Sequence, residues 1–107
     1  VKNKIEQLLM FHKETPDDPF LIYALANAYQ KQKEYKNAIM YYELLLEKHP
    51  NYDGTYLHYA QLNTFLKKFD KANEIYIKGI TILTQLNDTK NLNELKEAYE
   101  TFKQTIN

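Results

Sequence analysis

The chain has 107 residues and balances 14 basic against 14 acidic side chains, so it suits one domain and carries no net field toward a polyanion. Every basic residue is lysine, and arginine, the residue best shaped for bidentate phosphate and base contacts, is absent. Nucleic-acid binding is therefore disfavoured. Cysteine and serine are absent as well, which excludes disulfides, thiolate zinc sites and serine or cysteine nucleophiles.

With 44% hydrophobic residues the chain can bury a core, and 2 Gly and 3 Pro are too few for the many turns of an all-β fold. No apolar run approaches the roughly 20 residues of a membrane-spanning helix, and no secretory signal opens the chain. A cytoplasmic location with no membrane partner is expected. The chain opens on Val1 rather than Met, so the lack of a targeting signal carries little weight.

Val1 to about Glu14 places Ile5, Leu8, Leu9 and His12 at helical spacing. Thr15-Pro16-Asp17-Asp18-Pro19 stops that helix, and Asp18 before Pro19 reads as an N-cap followed by proline at the first helical position. A second helix follows from Phe20 to about Lys33, with Ile22, Leu25, Ala26 and Tyr29 on one stripe. Glu34-Tyr35 marks a corner, and a third helix runs from Lys36 to about Lys48 before His49-Pro50-Asn51-Tyr52-Asp53 breaks it. The fourth is expected over about 54–66, a corner at Lys67-Lys68-Phe69, and the fifth over about 70–86. Asn87-Asp88-Thr89 interrupts the pattern before a last amphipathic helix from Asn91 to Ile106, carrying Leu92, Leu95, Tyr99, Phe102 and Ile106. Six helices of four turns or less, joined by short turns, force an all-α antiparallel arrangement.

Pro16 and Pro50 lie 34 residues apart, each between two helices. Ile22, Leu25-Ala26, Tyr29, Ala38, Tyr42 and Pro50 follow the spacing W-x2-L-G-x2-Y, A-x3-F, P, and this segment closely resembles a tetratricopeptide repeat. A weaker copy has Tyr56, Tyr59 and Ala60 in its first helix and Ala72 and Tyr76 in its second. It departs from the pattern at Asn63, where a large aromatic belongs, at Gly79, where the second helix has alanine, and at Thr84 in place of the closing proline. That last departure predicts a second helix one turn longer. Ala26 with Ala38, and Ala60 with Ala72, fall where the two helices of a hairpin cross closely and only small residues fit.

The terminal helices are half-repeats in the same register. Leu8 takes the aromatic slot and Lys4 the alanine slot of a lone second helix; Leu92, Leu95 and Tyr99 take the large slots and Lys96 the small slot of a lone first helix. Polar outer faces on terminal helices are the caps a solenoid requires. The reading is one helix-hairpin repeat domain over 1–107: an N-terminal half-repeat helix at 1–16, repeat one at 19–52, repeat two at 53–86 and a capping helix at 89–107. The whole resembles the short two-repeat tetratricopeptide proteins of bacteria.

That resemblance implies protein binding rather than chemistry, with a partner peptide or helix on the concave face formed by the first helices. Carried over position by position, the face holds Phe20, Tyr23, Ala24, Asn27, Gln30 and Lys31 from repeat one, and Leu57, His58, Gln61, Thr64 and Phe65 from repeat two. The last helix adds Asn93, Glu94 and Glu97, with Lys90 or Asn91. The family's carboxylate clamp does not carry over: Asn27 matches one clamp asparagine, but Tyr23 stands for the lysine, His58 for the second asparagine, and arginine is missing. A neutral, aromatic groove for an apolar or amphipathic segment is expected instead. The alternative is self-association into a homo-oligomer through the terminal helices, should Met10, Phe11, Phe102 and Ile106 form exposed apolar patches.

No enzyme is expected, and no cofactor or metal. His12, His49 and His58 stand alone; Glu47 and His49, two residues apart, point to different faces and cannot converge on an ion. Asp17-Asp18 reads as turn and cap, and Lys67, Lys68 and Lys71 as a solvated corner.

Overall fold

The computed structural model describes residues 3–107. They form six helices: α1 Lys4–Glu14, α2 Pro19–Lys31, α3 Tyr35–Lys48, α4 Thr55–Phe65, α5 Phe69–Gln85 and α6 Thr89–Ile106. No strand occurs among the described residues. The chain divides into two compact units, Val1–Tyr52 and Asp53–Asn107. In the first, α2 packs against α1 and α3; in the second, α5 packs against α4 and α6, and α4 also approaches α6.

Local chemistry sets the boundaries. Asn3 caps α1, its side-chain oxygen accepting from the Glu6 amide at 2.9 Å. Asp18 caps α2, accepting from the Phe20 amide at 2.9 Å, with Pro19 at the first helical position as expected. Asp88 caps α6 and accepts from the Asn91 side-chain amide at 2.8 Å, so that helix starts two residues earlier than the sequence pattern suggests.

The hairpin corners share one geometry. After α2, Lys33 adopts φ 62°; after α4, Lys67 adopts φ 61°; after α5, Asn87 adopts φ 56°. In each, the next amide reaches back five residues: Glu34 to the Tyr29 carbonyl at 3.0 Å, Lys68 to Asn63 at 2.8 Å, and Asp88 to Leu83 at 3.1 Å. This is the left-handed Schellman stop, usually occupied by glycine. The first corner is thus Gln32-Lys33-Glu34, and Tyr35 already belongs to α3.

The four alanines at the hairpin crossings, Ala26, Ala38, Ala60 and Ala72, are fully buried. Around them the first unit buries Ile22, Leu25, Tyr42 and Leu45, and the second buries Tyr56, Tyr59, Leu62, Ile75 and Tyr76. At about 25 cal/mol per Å² of apolar surface, such aromatic and aliphatic burial is the main stabilising term. Ile5 and Leu8 of α1 join Leu25 and Ala28 in a core that Leu9, Leu21, Ala24, Tyr29 and Tyr41 flank. Lys4 and Lys96 lie exposed in the small-residue slots of the terminal helices.

Gly79 shows why the second repeat departs from the pattern. A Cβ placed there would stand 2.6 Å from Tyr56 Cβ and 2.7 Å from Leu95 Cδ2. The root of the Tyr56 side chain on α4 and the tip of Leu95 on α6 both press on α5 there, so only a residue without a side chain fits. Two lengths differ from expectation. At 17 and 18 residues, α5 and α6 exceed four turns, and α5 outruns the 14-residue α3 as the missing proline at Thr84 implies.

Candidate functional site: first helices and a cleft in the second unit

On α2, Phe20 is 61% exposed and Lys31 is exposed, whereas Tyr23, Asn27 and Gln30 are half-buried. Tyr23 packs its ring against Tyr52 at 5.6 Å between centroids. Asn27 and Gln30 are engaged inside the unit: the Tyr42 hydroxyl donates toward Gln30 Oε1 at 2.9 Å and Asn27 Oδ1 at 3.3 Å. Asn27 in turn donates to the Tyr23 carbonyl at 3.1 Å. Burial raises the Tyr42 phenol well above the usual tyrosine range, so this donor stays protonated. Two residues that the family register assigns to the partner-facing surface therefore also fix the deepest tyrosine of the first hairpin.

On α4, Phe65 is 68% exposed and Gln61 is exposed, while Leu57 and His58 are half-buried. Burial lowers the His58 imidazole below its ordinary value, keeping it neutral at neutral pH. Asn63, in the aromatic slot, is buried and donates to the Tyr59 carbonyl at 2.9 Å, a bond that satisfies the amide within its own helix.

The second unit also holds a cleft of about 320 Å³ between α4 and α6, lined by Gln61, Thr64, Tyr76, Ala98, Thr101, Phe102 and Thr105. Tyr76 and Phe102 pack at 5.2 Å between ring centroids, and the Tyr99 hydroxyl donates to Asn73 Oδ1 at 2.6 Å beside them. Sequence reasoning placed Gln61 and Thr64 on this face but assigned α6's share to Asn93, Glu94 and Glu97, which are exposed ahead of the cleft. The signal for the actual lining was available in the small and hydroxyl-bearing row Ala98, Thr101, Thr105 at helical spacing.

The histidines at the ends of α1 and α3 lie at a different edge of the first unit. His12 meets Tyr41 edge-on at 5.9 Å, and His12 Nδ1 and His49 Nε2 are buried without a hydrogen-bond partner among the described residues. Nearby, Lys48 donates to Asp17 at 3.0 Å and holds that carboxyl below the usual carboxylate range, with His49 and His12 acting in the same direction. No set of three His, Cys, Asp or Glu side chains converges as a metal site among the described residues.

Residues 19–62 match the model of the tetratricopeptide repeat family. The solution NMR structure of a tetratricopeptide repeat domain protein from Salinibacter ruber is 35% identical to this chain with a TM-score of 0.78, and the match covers 83% of this chain and 90% of that one. This chain belongs to the tetratricopeptide repeat family. A crystal structure of a tetratricopeptide repeat domain protein from Salinibacter ruber agrees, at 35% identity and a TM-score of 0.72 over 80% of this chain and 97% of that one. No curated protein sequence matches. Tetratricopeptide repeat domains generally bind other proteins and generally are not enzymes. No helix among the described residues is long and apolar enough to cross a membrane.

Proposed function

We propose that this tetratricopeptide repeat chain is a protein–protein interaction module that takes a peptide or helix of a partner on the first helices of its repeats, α2 and α4. The contact set is Phe20, Tyr23, Asn27, Gln30, Lys31, Leu57, His58, Gln61 and Phe65, within one domain of half-repeat, two repeats and cap. The observation that carries this reading is the exposure of Phe20 and Phe65, two large rings left uncovered on the helices that line the concave face in this family. Aromatic anchors of this kind supply much of the energy of protein interfaces. Exposure of 61% and 68% supports contact with a partner over a purely internal packing role for these two rings.

Self-association is favoured by one observation at the N-terminal helix, where Met10 and Phe11 are 50% and 54% exposed. At the other end Phe102 is buried against Tyr76 and Phe69, which leaves Ile106 as the exposed apolar residue of the expected pair. The second reading is therefore the narrower one.

Affinity capture with the wild type beside Tyr23→Ala/Phe65→Ala, read by mass spectrometry and accompanied by circular dichroism, tests the proposal. Partners retained by the wild type and lost by the folded double variant support it. Identical capture by both, or none by either, moves the contact to another surface.

A further inference from the structure

Phe11 of α1 holds the position that Leu45 holds on α3 and Gly79 on α5, each 34 residues further along. In the two hairpins that position faces the first helix: Leu45 is fully buried, and the Tyr56 side chain of α4 stands over Gly79. No first helix covers α1 among the described residues, and Phe11 is more than half exposed. Ile5, Leu8 and Leu9 turn into the core with α2, and His12 meets Tyr41 of α3. Gln7, Met10, Phe11 and Glu14 run down the opposite side of the helix, all exposed, with Lys4 at its edge.

The charges along this side select its occupant. Lys4, Glu6, Lys13 and Glu14 are exposed, and none forms an ion pair among the described residues. When two copies of α1 lie antiparallel about a two-fold axis, facing residues have numbers of constant sum. With Phe11 set over Gln7 of the second copy that sum is 18, which also brings Lys4 opposite Glu14. Glu6 and Lys13, summing to 19, meet along the adjoining edge, and the axis falls beside Met10. Symmetry repeats each charge pair, so opposite charges flank both phenylalanines. A parallel arrangement would instead set Lys4 on Lys4 and Glu14 on Glu14. Head-to-tail stacking of α6 from another copy would press Lys96 on Lys4 at the closest crossing, where both repeats have alanine.

We propose that α1 docks on α1 of a second copy of this chain, antiparallel and isologous, with Phe11 packed across Gln7 and Lys4 paired to Glu14. The inference rests on the self-association reading above and gives it an orientation and a register. It uses no residue of the partner-contact set on α2 and α4. Two helices of 11 residues make a contact smaller than a standard interface, so the dimer is weak, with a dissociation constant of about 0.1–1 mM.

The test is sedimentation equilibrium of the full chain at low salt, up to about 2 mM so that the expected range is spanned. Phe11→Ala is expected to weaken the dimer at least about tenfold, with circular dichroism unchanged. Lys4→Glu and Glu14→Lys should each weaken it about fivefold, because each variant sets like charges opposite one another in its own dimer. An equimolar mixture of those two variants restores both charge pairs in reverse and should recover the wild-type affinity as a heterodimer. The charge variants alter no buried residue, so they decide the matter should Phe11→Ala unfold. A mixture that associates no better than either variant alone overturns the inference. A dimer that survives Phe11→Ala also overturns it, and leaves self-association to another surface. A chain monomeric throughout overturns both the docking and the self-association reading, while the partner-binding reading falls only with the capture experiment.

Discussion

The first unit closes at the position where the second stays open. Tyr42 and Tyr76 are both buried at the same point of a hairpin, but Asn27 and Gln30 hold the first hydroxyl while the second has no such bond. The pair Ile22 and Leu45 in the first repeat becomes Tyr56 and Gly79 in the second, which moves bulk from α5 to α4. One repeat architecture tolerates both solutions because Leu95 of α6 packs into the space that Gly79 leaves. What differs is whether polar groups are spent internally or left facing solvent.

The largest test of this contrast is Gly79→Ala, expected to cost about 3 kcal/mol because the new methyl meets Tyr56 and Leu95 well inside contact distance. Gly79→Ala and Leu95→Ala together should cost at least about 1 kcal/mol less than the sum of their single effects, since Leu95→Ala removes the Cδ2 that the new methyl meets, a coupling read by chemical denaturation of both single variants and the double. If the two changes are simply additive, Leu95 is not what closes the space over Gly79. Next come the two tyrosines. Tyr42→Phe strands the Asn27 and Gln30 amides and should cost about 1–2 kcal/mol, whereas Tyr76→Phe should stay within about 0.5 kcal/mol of wild type. Equal costs in urea unfolding would erase the distinction between a closed and an open hairpin.

The corners, by contrast, should respond alike. Lys33→Gly and Lys67→Gly each relieve a left-handed backbone carried by a β-carbon, and each should raise stability by about 0.5–1 kcal/mol. A gain in one unit only would show that the corners are not equivalent. The smallest effect concerns pH. His58 titrates below its ordinary value when folded, so the unfolded chain takes up the proton first as pH falls. Its contribution is therefore complete above about pH 6.5 and is lost as pH drops through the folded value. His58→Gln should flatten that part of the melting-temperature profile between about pH 7.5 and 5.

Most of the fold was legible in the residues. The spacing from Ile22 to Pro50, the four alanines and Asp18 before Pro19 each report a steric or capping requirement that acts locally or at a fixed period. The corners were legible in place but not in conformation, because lysine at Lys33 and Lys67 gives no hint of a positive φ. The candidate site was legible only as a choice of helix faces. Sequence placed Asn27 and Gln30 on the partner-facing surface but could not show that the Tyr42 hydroxyl, from another helix, engages both. Nor could it place Thr101 and Thr105 at the cleft, since the rotation of α6 is set by packing of Leu95 against Gly79 and Phe102 against Tyr76.

Most of the helix packing within each unit joins neighbours along the chain. Few long loops have to close before burial begins, and rate falls with the sequence separation of the contacts a chain must find. Each hairpin can therefore assemble on the microsecond-to-millisecond scale typical of helical proteins, and Met10, Phe11, Phe20, Met40 and Phe65 are then the main apolar groups that the folded chain still shows to its surroundings.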